Sequence, residues 1–234
     1  MNKKLTIIAH IILALGLISA SIGIGYYYGV YEKNIQKEYH NIFYDYYVAK
    51  VAQFKEDNKT LGEVDVAFLW DSLTDGYPVQ DWYPQYKVVN RGIGADSTWG
   101  LEERLDCSAY DVNPKVIVLL IGINNLDTML RNYERIVQKI KQNLPNTKII
   151  IESLTPESGD FAFRNPQAIS NNVKVKNIAQ RNGCTFVDMY TQLLDPNTNE
   201  LKLEYTIEGL HFTPQGYEKI TGVLTPVISS LLGY

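Results

Sequence analysis

Val116-Ile-Val-Leu-Leu-Ile121 is six apolar residues in unbroken succession, followed at once by Gly122-Ile-Asn-Asn125. A strand with one wet face alternates apolar and polar residues. An unbroken apolar run is expected of a strand covered on both faces, as in a parallel sheet between layers of helices. Ile149-Ile-Ile151 repeats the pattern, and the apolar stretch that starts at Val64 ends in the polar turn Asp71-Ser-Leu-Thr-Asp75. Working outward, strands are predicted over 64–69, 86–90, 115–121, 148–154 and 185–189. Helical spacing falls between them, near 98–105, 127–144 and 166–182, with a last helix from 214 to about 232. Asp127 suits an N-cap, Pro166 and Pro214 suit first turns, and Gly183 follows a helix end. Alternation of this kind predicts a three-layer α/β domain with a mainly parallel five-stranded sheet.

The N-terminal part reads differently. Residues 5–30 carry no charge, long enough to cross a hydrocarbon core of about 30 Å. Lys3 and Lys4 precede the run, and the charges that follow it are balanced, so the positive-inside bias predicts a cytoplasmic N-terminus and an extracytoplasmic body. Tyr26, Tyr27 and Tyr28 suit an aromatic belt. A cleaved signal peptide, with Ser19-Ala-Ser21 as its cleavage site, is the competing reading, and it exports the same body. Residues 31–62 read as a helical stalk with an aromatic stripe, breaking into a loop from Asp57 to Gly62. The expected organisation is an anchor over 1–30, a stalk over 31–62 and one globular domain over 63–234.

Composition excludes several classes. A net charge of −4 offers no basic footprint for nucleic acid. Two cysteines, Cys107 and Cys184, are too few for a disulfide framework. Three histidines are present, and only His211 lies in the expected body, which cannot build a His-rich zinc site. No phosphate-cradling Gly-x-x-x-x-Gly-Lys motif occurs. No cofactor is expected.

In open parallel sheets, ligands collect outside the carboxyl ends of the strands. Read there in order, the chain offers Asp71-Ser72, then Asn90-Arg-Gly-Ile-Gly94, then Gly122-Ile-Asn-Asn125. His211 arrives from the loop before the last helix. Acyl transfer needs a nucleophile, a base and donors for the forming oxyanion. Ser72 suits the first role and His211 the second. Glu208, three residues earlier, is the nearest carboxylate to hold the imidazole, with Asp188 as a less favoured partner. Ser72 N–H, Gly92 N–H and the Asn124 amide suit the oxyanion hole.

Those four blocks, Asp71-Ser72-Leu73, Asn90 to Gly94, Gly122 to Asn125 and Glu208-Gly-Leu-His211, resemble those of the SGNH hydrolases, the GDSL-type esterases and lipases. The second and third are similar to the platelet-activating-factor acetylhydrolase-like branch. The resemblance covers about residue 64 to the C-terminus. It implies a flavodoxin-like α/β/α fold and a serine esterase with Ser72, His211 and Glu208 as catalytic residues and Ser72, Gly92 and Asn124 as the oxyanion hole. Two positions depart from the family pattern. Trp70 stands where glycine is usual, which is expected to reshape the acyl pocket, and Glu208 replaces the usual aspartate.

The sequence leaves the ester open. An acyl group, acetyl among them, on an envelope glycan suits an outward-facing tethered enzyme. A lysophospholipid or other lipid ester suits the tether as well. Trp70, Trp82, Tyr83, Trp99, Phe161 and Phe163 are candidates for sugar stacking or an acyl pocket, and the 155–166 loop is expected to shape the choice. The reading from another class is a binding module that keeps the cleft without turnover.

Overall fold

The computed structural model describes residues 23, 25–27, 29, 30 and 43–234. The first six of these are helical. The rest of the expected anchor over 1–30, and 31–42 of the expected stalk, lie outside the described residues. Among the described residues, no helix is long and apolar enough to cross a membrane.

The compact unit runs Phe43–Tyr234. Its sheet comprises β1 (Val66–Leu69), β2 (Val88–Asn90), β3 (Val116–Leu119), β4 (Lys148–Glu152) and β5 (Thr185–Val187). The order is β2-β1-β3-β4-β5, and every pair is parallel. This is the flavodoxin-like order. Every residue of β1 and β3 is buried, which is the physical meaning of the unbroken apolar runs: neither face meets water. The predicted strands overlap the observed ones but run longer at their ends. The helices are α1 (Tyr44–Leu61), α2 (Ser72–Asp75), α3 (Val79–Trp82), α4 (Thr98–Glu103), α5 (Leu105–Ser108), α6 (Tyr133–Asn143), α7 (Asn165–Arg181), α8 (Met189–Leu193) and α9 (Pro214–Leu232); α1, α4, α6, α7 and α9 overlap the predicted stretches, and the short α2, α3, α5 and α8 are added by the structure. A two-residue antiparallel pair, β6 (Leu194–Asp195) and β7 (Glu200–Leu201), lies beyond the main sheet.

Three expectations are corrected. Of the loop placed at 57–62, residues 57–61 are the last turn of α1, which ends at Leu61 and is capped by Gly62, where φ is +58°. That helix also belongs to the compact unit, so the body starts at Phe43, ahead of the boundary expected at 63. Its Phe54 is 2% exposed, packed with Ile93 and Cys107. The helix expected from Asp127 begins at Tyr133. Side chains ahead of it are committed elsewhere: Asn125 bonds Thr98 through both its oxygen and its nitrogen, and Asn132 Nδ2 donates to Thr98 O and Glu102 Oε2. These bonds hold 123–131 in short 3₁₀ turns. Pro166 and Pro214 do open their helices, where a missing N–H costs nothing.

Candidate active site

β1 is central to one end of the sheet, with β2 on one side and β3 on the other. The residues after their carboxyl ends therefore meet at one edge. Ser72 follows β1, Gly92 follows β2 and Asn124 follows β3.

The turn carrying Ser72 is shaped by Asp71. Its Oδ1 accepts the Leu73 N–H at 3.0 Å, and its carbonyl accepts Thr74 N and Asp75 N at 3.2 and 3.0 Å. This cap starts α2 at Ser72. Asp71 is fully buried, and Oδ2 has no partner among the described residues. Burial pushes its carboxyl up to about 7, against the hydrogen bond from Leu73, which lowers it. The other carbonyls of the turn are tied down as well. Asn90 Nδ2 donates to Thr74 O and Tyr77 O at 2.5 and 2.8 Å. Tyr217 Oη, from α9, donates to Leu73 O at 3.0 Å while its ring stacks on Tyr77.

Arg104 anchors the edge from below and was not singled out from the sequence. It is 2% exposed and pairs with Asp96 at 2.8 Å. The same guanidinium donates to Trp70 O at 3.0 Å, to Arg91 O at 2.8 Å and to Ser108 Oγ at 2.8 Å. One buried cation thus holds the carbonyls that follow β1 and β2. An arginine in a short helical pattern gives no sequence signal of such a role, because its partners come from three other segments.

His211 is presented by a tight loop. Thr206 and Phe212 bridge antiparallel, and Ile207 N donates to His211 O at 2.9 Å. Leu210 and Phe212 are buried while His211 and Glu208 reach solvent. Gly209 has φ +107°, and a β-carbon there would stand 2.2 Å from Ser158 O. Only glycine fits both the backbone and the space. Ser158 N returns a bond to Gly209 O at 2.9 Å, joining the 155–166 loop to the histidine loop. That loop is held by a pair between Glu157 and Arg164, and burial pushes the Glu157 carboxyl up to about 7 even so.

The geometry brings the separated residues together. His211 Nε2 lies 3.1 Å from Ser72 Oγ, and His211 Nδ1 meets Glu208 Oε1. Glu208 Oε1 also accepts the His211 backbone N–H at 3.2 Å. Asp188 does not approach the imidazole; it caps α8 through Thr191. Asn124 Nδ2 donates one hydrogen to Asp96 O at 2.9 Å. Gly92 sits so close to the Ser72 turn that a β-carbon would fall 2.3 Å from Asp75 N. Its N–H, expected to be free for an oxyanion, donates to Asn90 Oδ1 at 2.8 Å.

Trp70 is fully buried and packs within the core. Tyr83 and Trp99 are buried too. Of the aromatic candidates, Phe163 is exposed, and Phe161 and Trp82 are half-buried against the core. Apolar burial outcompetes a binding role for the others.

Comparison with known proteins matches this arrangement. Residues 68–219 match the GDSL-like Lipase/Acylhydrolase family. The chain is 30% identical over 186 residues to platelet-activating factor acetylhydrolase IB subunit alpha2 of Homo sapiens, covering 73% of this chain and 78% of that one. Its fold is similar to a GDSL-like lipase of Bacteroides thetaiotaomicron, with TM-score 0.69, 20% identity, and 77% and 97% of the two chains covered. It is also similar to an acetyl xylan esterase, with TM-score 0.59, 19% identity, and 70% and 98% covered. The chain belongs to the GDSL-like lipase/acylhydrolase family and is a serine ester hydrolase of the SGNH type.

Proposed function

We propose that the protein hydrolyses short acyl esters, acetyl first among them, through Ser72, His211 and Glu208. The observation that carries the reading is the unbroken chain of contacts from Ser72 Oγ to His211 Nε2 and from His211 Nδ1 to Glu208 Oε1. With its Nδ1 hydrogen donated to Glu208, the neutral imidazole keeps Nε2 as the acceptor facing Ser72. His211 takes the Ser72 proton as Oγ attacks the ester carbonyl. The imidazolium, stabilised by Glu208, then protonates the leaving alcohol. Water, activated by the same Nε2, releases the acid.

The oxyanion is met by the Ser72 N–H and by the second amide hydrogen of Asn124, whose first is spent on Asp96 O. Gly92 N–H joins them by sharing its hydrogen between Asn90 Oδ1 and the oxyanion. Each such donor is worth about 10²–10³ in turnover.

For the substrate, two similar proteins are named for acetyl esters, one an acetylhydrolase and one an acetyl xylan esterase. The exposed ring of Phe163, on the loop joined to the histidine loop, suits stacking on a sugar. We therefore propose an acetylated glycan of the cell envelope as the natural ester. The uncharged segment 5–30 is proposed to anchor the protein, with the body outside. Carbonate extraction and protease protection of the full chain test the anchor; release into the soluble fraction would overturn it.

The catalytic reading is tested by hydrolysis of p-nitrophenyl acetate. Wild type turns over, and Ser72→Ala and His211→Ala lose activity by about 10³-fold or more. Equal rates in all three would leave the cleft a binding module. A panel of acetylated glycans against lysophospholipids decides the alcohol side, and a preference for the lipid would overturn the glycan assignment.

A further inference from the structure

We propose that α1, which lies outside the matched residues 68–219, is the positioning element of this active site, with Tyr46 and Lys50 acting through Asp75 on the turn of Ser72 and the loop of Gly92. The inference rests on the reading of Ser72 as nucleophile.

Asp75 is the last residue of α2, the helix that Ser72 begins. Its carboxylate ties three segments. Oδ2 accepts the Gly94 N–H at 3.0 Å and the Tyr46 hydroxyl at 2.6 Å, and Oδ1 accepts Lys50 Nζ at 2.9 Å. The ring of Tyr46 also covers Gly94, where a β-carbon would meet its edge at 3.5 Å. Tyr46 stays a neutral donor through the working range, since burial and the bond to Asp75 push its hydroxyl up to about 12.

The other end of α1 grips the same loop. Arg91 Nη2 donates to Asn58 Oδ1 at 2.5 Å, and the Arg91 guanidinium lies over the Phe54 ring at 4.6 Å. Ile93, fully buried, packs on Phe54. So 91, 93 and 94 are each held by α1, while Gly92 between them rests against the backbone of 71–75. Arg104 ties the carbonyls of Trp70 and Arg91 from below; Asp75, with its partners on α1, ties the far end of the Ser72 turn to Gly94. A shift of about 1 Å at a reacting group is enough to cost roughly 10²-fold, and a clamp of three bonds to one carboxylate is placed to prevent it.

The test uses the full chain with Tyr46→Phe, Lys50→Met and the double variant. Tyr46→Phe keeps the ring over Gly94 and removes only the hydroxyl bond. Lys50→Arg serves as the conservative rescue and Val48→Ala, exposed on the same helix, as the control. The double variant should lower kcat on p-nitrophenyl acetate about tenfold with KM unchanged. Fluorophosphonate labelling of Ser72 should slow in parallel, thermal stability should change little, and Lys50→Arg should restore most of the rate. Hydrogen exchange at 72–76 and 92–95 should accelerate in the double variant and not in Val48→Ala. Unchanged kcat and exchange would overturn the clamp, as would a loss matched by a general loss of fold. If wild type neither labels nor hydrolyses, the catalytic reading fails, and the exchange measurement still decides whether α1 positions the loop.

Discussion

Gly92→Ala should disable the enzyme while leaving every proposed catalytic group chemically intact. A β-carbon at this position would stand 2.3 Å from Asp75 N, 2.7 Å from the Thr74 carbonyl carbon and 2.8 Å from Asp71 O. All three are backbone atoms, so no side-chain rotation relieves the overlap. Ordinary contact begins at 3.4 Å, so the two segments must part by about 1 Å. The turn that moves is the one that presents Ser72. Misplacement on this scale costs about 10²-fold in rate, and the overpacking itself costs about 1–3 kcal/mol of stability. Because alanine keeps the backbone N–H, loss of the oxyanion donor is not an available explanation. The assay is kcat on p-nitrophenyl acetate together with the rate of fluorophosphonate labelling and a thermal melt. A folded Gly92→Ala enzyme within about threefold of wild-type kcat would refute the reasoning, since it would show that the turn and the loop are not in the contact described.

Glu208→Gln keeps an oxygen for the His211 backbone N–H but removes the charge beside Nδ1; kcat should fall by about 10² or more, and an unchanged kcat would place the supporting acid elsewhere. Arg104→Met leaves Asp96 buried without its cation, a loss of about 3–5 kcal/mol, seen in calorimetry as a melting point lower by roughly 6–20 °C. Adding Asp96→Asn should recover part of it, and a shift under about 2 °C would contradict the buried pair. Asp71, pushed up from 3.8 to about 7 by burial, gives a pH signature. Below the lower value both folded and unfolded chains are protonated and nothing is lost. Between the two the unfolded chain ionises first, so stability falls as pH rises. Above about 7 the full cost, on the order of 4 kcal/mol, remains. Asp71→Asn removes it, so its melting-point advantage over wild type should widen from about pH 4 to about pH 8; a constant difference would show that Asp71 is already ionised at the lower pH.

The fold was legible because it depends on a pattern that neighbours in sequence carry. Unbroken apolar runs at 116–121 and 149–151 report a two-faced environment, and the helices between them report the crossovers of a parallel sheet. The candidate site was legible in kind for a similar reason. Ser72, Gly92, Asn124 and His211 each sit where a strand or a pre-helix loop delivers them, and strand order then brings them to one edge. What the residues alone do not decide is whom each side chain chooses. Trp70, beside the nucleophile in sequence, turns into the core because apolar burial rewards it there. Gly92 N–H finds Asn90, and Asp188 finds Thr191 instead of the imidazole.

Arg104 and α1 show the limit most clearly. Arg104 meets Trp70, Arg91 and Asp96, and Tyr46 meets Asp75 twenty-nine positions away. No local periodicity encodes such contacts, since they exist only after the chain has folded. The sequence by itself determined the sheet, through local pattern, and through the resemblance of its four blocks the class of chemistry, with Ser72 and His211 as the candidate nucleophile and base. Tertiary structure alone decided that Asp188 turns away from the imidazole, that one buried arginine secures the strand ends, and that the helix expected as a stalk packs against the Ser72 turn.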